Sequence, residues 1–162
     1  MADRFGLRRA MVVLGAISAL LLAMAFGFEA AGFRPCELCI LQRWPHAATA
    51  ALGLVAFLWP GAPRGLALLG ALAMVAGLAL GIYHSGVEWH LWAGPATCTG
   101  TADLRSLSTK DLLDQIMAAP IVRCDQPALV VFGTTMANWN AVASGVLMAG
   151  WMAAWRLAAP RG

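Results

Sequence analysis

Apolar residues run along this chain in four long blocks, and polar residues gather between them. Ala10–Phe28 holds 19 residues without a charge, interrupted only by Ser18. Gly65–Tyr83 and Ala137–Trp155 are uncharged runs of the same 19 residues. Trp44–Leu58 is shorter and rich in Ala and Leu, and its helix is expected to start nearer Ile40. A membrane-crossing helix needs about 20 predominantly apolar residues. The pattern therefore predicts four transmembrane helices, near 10–29, 41–59, 65–83 and 137–156. The expected fold is an all-α integral membrane protein: one four-helix bundle over 1–162, with loops at 30–40 and 84–136 on the same side.

Tryptophans mark the ends of these runs. Trp44 and Trp59 bracket the second, Trp89 and Trp92 follow the third, and Trp139 opens the fourth. Such rings suit a membrane interface, apolar in body and wet at the N–H. Trp151 and Trp155 close the last run, and Trp151 lies deep enough to be a packing residue instead. Pro60–Arg64 reads as a tight turn. In the long loop, Ser108-Thr-Lys-Asp111 resembles a helix start with an N-cap and an acid at N3. Leu112, Leu113, Ile116 and Met117 share one face and Pro120 stops the run. A short amphipathic helix on the membrane surface is expected there, with a turn packed on its own loop as the alternative.

Composition narrows the class. Hydrophobic residues make 60% of the 162 and charged residues only 12%, with a mean hydropathy of +0.72. An average soluble domain carries about 25% charge, so a soluble globule and a disordered chain are both excluded. A net charge of +3 without a Lys/Arg cluster argues against nucleic acid as a partner; the expected surroundings are a lipid bilayer. The termini and second turn hold Arg4, Arg8, Arg9, Arg64, Arg156 and Arg161, and the opposite side holds Arg34, Arg43, Arg105, Lys110 and Arg123. Long loops count little toward orientation. Without the long loop the bias places both termini in the cytoplasm. The first run exceeds the 7–15 apolar residues of a signal peptide and reads as a retained helix.

All four cysteines, Cys36, Cys39, Cys98 and Cys124, fall in the two loops on the extracytoplasmic side, where disulfides persist. Three pairings are possible. The Cys36-Glu-Leu-Cys39 spacing favours local pairing, which leaves Cys98 with Cys124. Zinc is a competing reading, but Cys98 and Cys124 lie outside the close spacing of structural sites, and no metal is expected. Two structural bridges are another, but so short a loop gains little stability from closure. Cys-x-x-Cys thiols often have a depressed pKa, so redox-active cysteines are the favoured reading. In a helix, Cys36, Cys39 and Arg43 share a face, and a nearby cation favours thiolate. Pro45 either opens the second helix proper or kinks it.

Pro35-Cys-Glu-Leu-Cys-Ile-Leu-Gln-Arg43, continued by Trp44-Pro-His46, resembles the signature of the bacterial disulfide bond formation protein B (DsbB) family. Tyr83-His-Ser-Gly-Val-Glu88, Gly94-Pro-Ala-Thr-Cys98, Val122-Arg-Cys-Asp125 and Phe132-Gly133 before the Met136…Trp139-Asn140 helix entry resemble one branch of it. The family often reads Gly-Leu-Ser-Met before the fourth helix, where this chain has Gly133-Thr134-Thr135-Met136; the threonine keeps a hydroxyl. The resemblance implies a quinone-reducing oxidoreductase of the bacterial inner membrane, with its cysteine loops in the periplasm. It would reoxidise a DsbA-like thioredoxin-fold oxidase and pass electrons to ubiquinone or menaquinone. It also implies that Cys98 pairs with the partner's cysteine from the water side. Cys39 would then lie next to the quinone and Arg43 would support its thiolate, with Gln42, His84 and Met136 as further quinone contacts. His46 reads as structural, Glu88 as a possible partner of Arg43 or Arg34, and Gly77 and Gly81 as a helix-packing step. The vitamin K epoxide reductase-like family is an alternative, but its quinone-side Cys-x-x-Cys comes late in the chain. A disulfide-stapled scaffold without chemistry is the alternative from another class.

Overall fold

In a computed structural model, residues 2–99, 108, 110, 117 and 122–157 are described. Among the described residues there are four long helices: α1 (Ala2–Ala30), α2 (Glu37–Leu58), α3 (Gly65–Glu88) and α4 (Met136–Leu157). A single helical turn, Ala96–Thr99, and a two-residue hairpin, Val130–Val131 with Thr134–Thr135, lie between α3 and α4. The surface helix expected at 108–117 falls largely outside the described residues. Phe5–Ala30 and Gly65–Glu88 are each long and apolar enough to cross a membrane. Large apolar side chains such as Val13, Leu20, Phe57, Leu72 and Val146 point outward, which suits a lipid surround and not water.

Small residues let the helices touch. A Cβ on Gly15 would sit 2.6 Å from Gly53 Cα, so α1 and α2 meet backbone to backbone. Thr49 Oγ1 donates to Ser18 Oγ at 2.8 Å across that seam. At its far end, Arg8 donates to the Ala56 and Phe57 carbonyls at 3.0 and 2.7 Å, satisfying acceptors that α2 leaves open as it ends. Between α3 and α4, Gly81 lies against Ala141 and Gly77 against Ser144 and Pro45, as the small-residue step predicts. Trp151 is fully buried with its ring on Gly70, so it packs the core and does not mark an interface.

The helices run further than their uncharged runs. Helix α2 starts at Glu37, before the expected 41, and Pro45 lies inside it. Pro45 has no N–H, so the Leu41 carbonyl one turn earlier loses its ladder partner. Helix α3 continues to Glu88, five residues past the expected 83. Two features hold this last turn. Ser85 Oγ donates to the Gly81 carbonyl at 2.8 Å. Gly86 leaves room for the Trp92 ring, which a Cβ would approach to 2.0 Å. Trp92 in turn donates to the Tyr83 carbonyl at 2.8 Å.

Candidate functional site

The extended ends of α2 and α3 create the site. Cys36 is the N-cap of α2, and its sulfur accepts from the Cys39 N–H at 3.3 Å. This puts Cys39 in the first helical turn, with the two sulfurs 3.1 Å apart. Both are thiols here, not the bridge that local pairing led one to expect. The Cys-x-x-Cys spacing fixes which sulfurs meet but not their oxidation state. Cys98 and Cys124 are bridged, as the pairing predicts.

Residues 84–88, expected in a loop, are helical and face inward. Gln42 Nε2 lies 2.6 Å from His84 Nδ1. Since the amide nitrogen donates, the neutral ring carries its proton on Nε2. That nitrogen lies 3.5 Å from Cys36 Sγ and 3.8 Å from Glu88 Oε1. The hydroxyl of Thr135 donates to the other Glu88 oxygen and also accepts from the Asn138 N–H at 3.4 Å, at the start of α4. The Cys39 thiol donates to Cys36, and with His84 beside it holds the Cys36 thiol down at about 4, against the opposing pull of burial. His84 Nε2 faces Cys36, and this contact favours a thiolate there.

The second cysteine pair does not stand out in water, as its place in the long loop led one to expect. Cys98 is 2% and Cys124 0% exposed, packed in one cluster with Cys36, Leu38 and Val87. Burial follows from ties to the helices. Thr97 Oγ1 donates to Glu37 Oε2 at 2.6 Å, and the Cys124 N–H donates to the Cys98 carbonyl at 2.9 Å. Exchange between the two pairs needs such proximity.

Of the other residues singled out, Gln42 and His84 join this network, and Met136 lines the same crevice as Cys36, Cys39, His84 and Glu88. Arg43 points elsewhere: its guanidinium pairs with Glu29 at 2.6 Å and lies over the Phe26 ring at 4.6 Å. Glu88 pairs with His84 and Thr135, not with an arginine. His46 is buried and reaches Asn140 Oδ1 at 3.0 Å, consistent with its structural reading. Glu29, Glu37 and Thr97 escaped the sequence reading, and Thr135 entered it only as a departure from the family pattern that keeps a hydroxyl. Only the i, i+4 spacing of His84 and Glu88 offered a signal, and it required a helix where none was expected.

Residues 7–154 match the family model described as "Disulfide bond formation protein DsbB". An uncharacterized protein of Rickettsia prowazekii (strain Madrid E) is 25% identical over 109 residues, covering 67% of this chain and 63% of that protein. The chain thus spans less than two thirds of that relative's length. No solved structure matches.

Proposed function

The chain belongs to the DsbB family of disulfide bond formation proteins, and we propose that it is the thiol:quinone oxidoreductase that reoxidises a periplasmic DsbA-like, thioredoxin-fold oxidase. It would act as a multi-pass protein of the bacterial inner membrane, termini in the cytoplasm and cysteine loops in the periplasm. One observation carries this reading: a disulfide and a dithiol share a single buried cluster.

Thiol–disulfide exchange moves two electrons per step, one disulfide opening as another closes. The partner's dithiol opens Cys98–Cys124, with Cys98 taking the mixed disulfide. The resulting thiols close again by opening a Cys36–Cys39 bridge, leaving Cys36 and Cys39 as the dithiol. Cys98–Cys124 bridged with Cys36/Cys39 reduced would be the stage after that inward transfer. His84 Nε2–H faces Cys36 Sγ and stabilises the thiolate as it leaves, while Gln42 keeps the ring in the tautomer that can donate. Glu88 beside the ring favours any imidazolium formed.

A quinone supplies a two-electron, two-proton acceptor for that dithiol. Cys39 is the half-buried thiol that would meet it, beside the apolar Met136; Gln42 and His84 lie behind the sulfurs, and Arg43 would reach it only on leaving Glu29. The crevice beside the sulfurs, about 20 Å³, has room for about one water and none for a ring. The pair therefore meets its acceptor through Cys39, the less buried sulfur.

The test combines purified protein, a reduced thioredoxin-fold oxidase and a soluble quinone, with quinone absorbance followed over time. Quinone reduction that depends on the partner is expected. Its absence, with disulfides that keep their state when the partner is added, would leave a stapled scaffold.

A further inference from the structure

Three donor atoms from two helix ends converge beside the crevice, with the Glu88 carboxylate next to the ring. Cys36 Sγ lies 3.1 Å from Cys39 Sγ and 3.5 Å from His84 Nε2, and that nitrogen lies 3.8 Å from Glu88 Oε1. The two sulfurs and the ring each offer a donor atom within 4.8 Å of the others. Tetrahedral Zn²⁺ holds thiolates at about 2.3 Å and imidazole or carboxylate at about 2.0–2.2 Å, which spaces its ligands roughly 3.3–3.8 Å apart. The sulfur pair need open by only about 0.6 Å to meet that geometry. Glu88, 3.8 Å from the ring, completes it as fourth ligand by turning its carboxylate toward the sulfurs.

The surroundings fit an ion as well as the ligands do. Two thiolates, an imidazole and a carboxylate make a donor set suited to zinc. Ligating histidines are usually held through their other ring nitrogen, and ligating carboxylates through their free oxygen. Gln42 holds His84 Nδ1, and Thr135 holds Glu88 Oε2. With a metal on Nε2 the ring proton sits on Nδ1, and the Gln42 amide, turned over, accepts it. The crevice of about 20 Å³ admits an ion, and half-buried Cys39 gives it a way in. Spacing along the sequence set zinc aside because Cys98 and Cys124 are far apart; the fold supplies His84 and Glu88 in their place.

We propose that Cys36 and Cys39 in their dithiol form, together with His84 and Glu88, bind one Zn²⁺, and that the disulfide form binds none. Binding replaces the thiol protons, which leave to solvent, and no atom changes oxidation state. A disulfide brings the sulfurs to about 2.05 Å and removes both thiolates as ligands. Metal and oxidation therefore exclude each other, and Zn²⁺ holds the pair reduced. This goes beyond the proposed function and does not depend on the identity of the electron acceptor.

The experiment uses the full chain in detergent with Cys98→Ala and Cys124→Ala, so that only one pair responds to reductant. Reduced and oxidised samples are incubated with Zn²⁺ and desalted, zinc is counted by mass spectrometry, and affinity is read by competition with a chromophoric chelator. One Zn²⁺ per reduced chain and none per oxidised chain are expected. Gln42→Ala should weaken binding about 10- to 100-fold, and His84→Ala more. In the otherwise unaltered reduced protein, Co²⁺ should give the intense visible bands of a tetrahedral, thiolate-bearing site. Equal zinc on oxidised protein, undiminished binding in Cys36→Ser/Cys39→Ser, or a weak octahedral Co²⁺ spectrum would each overturn the proposal.

Discussion

The side-chain amide of Gln42 holds His84 at Nδ1, 2.6 Å away, and the ring's other nitrogen faces the Cys36 sulfur at 3.5 Å. Gln42 is therefore a positioning residue, acting on sulfur chemistry through a ring it does not share. Gln42→Ala should slow exchange at the Cys36–Cys39 pair about tenfold, toward the low end of general acid–base effects. It should also raise the pH at which Cys36 loses reactivity. Gln42→Glu, which keeps the length but accepts instead of donating, should not restore the wild-type pH profile. A profile unchanged in both variants would make the contact purely structural.

Cys36 should react as a thiolate over an unusually wide range. Its thiol is lowered from 9.0 to about 4, so alkylation of the reduced protein should stay fast from pH 8 to about pH 5 and fall below about pH 4. The sign for stability follows. A depressed folded value stabilises the reduced protein fully above pH 9, and the benefit fades as pH falls toward 4. Mass-resolved alkylation of Cys36 against pH measures the first effect. A midpoint near the ordinary thiol value would remove the special role of this N-cap.

Cys98→Ala should abolish oxidation of the soluble partner while leaving Cys36 and Cys39 oxidisable by quinone. Non-reducing peptide mapping after quinone addition reads the second half directly. Wild-type turnover of the partner would mean that the bridge at Cys98 is structural.

Arg43 is held by Glu29 and Phe26, so its influence on the quinone half-reaction is indirect until that ion pair opens. Arg43→Ala should reduce quinone-dependent turnover by about 100-fold or less, below the full effect of a preorganised charge-stabilising group. Arg43→Lys should lose less. Glu29→Gln, which frees the guanidinium, should change the quinone KM while exchange with the partner stays the same. Unchanged quinone kinetics in Arg43→Ala would leave an arginine that serves only the membrane boundary.

Gly15→Val should destabilise the bundle. The added Cβ would meet the Gly53 backbone at 2.6 Å, and backbone cannot move aside as a flexible side chain can. Overpacking of this kind costs about 1–3 kcal/mol, measurable as lowered thermal stability in detergent. Gly27→Val, where a Cβ meets nothing within 4 Å, is the matched control.

The four helices were legible because lipid imposes a long, uncharged run on each. Their ends were not, because a hydropathy run stops at the first titratable residue whether or not the helix does. His84 and Glu88 ended the third run, yet they continue the helix because each finds a buried partner in the other, in Gln42 and in Thr135. The cysteine motif named its residues and left their surroundings open. Glu29 meets Arg43 because α1 and α2 lie side by side, and Cys98 is buried because its turn packs with Cys124 on Cys36, Leu38 and Val87. Both are contacts across the fold that local spacing does not encode. The Thr135 hydroxyl, visible in the sequence as a departure from the family pattern, acquires its meaning only next to Glu88.

Along their shared seam, helices α1 and α2 satisfy each other, while Gln42 and His46 take partners from the other half, His84 and Asn140. Ser18 meets Thr49, Arg8 closes the end of α2, and the two glycine backbones interlock. In hydrocarbon an unmet polar group is costly, so two segments that hide each other's polar groups can leave the insertion machinery as a hairpin. The order of synthesis then matters: the first half of the protein can enter lipid with its seam already closed, and Gln42 and His46 are met when α3 and α4 arrive. The cysteine site, which requires residues from both halves, is assembled last.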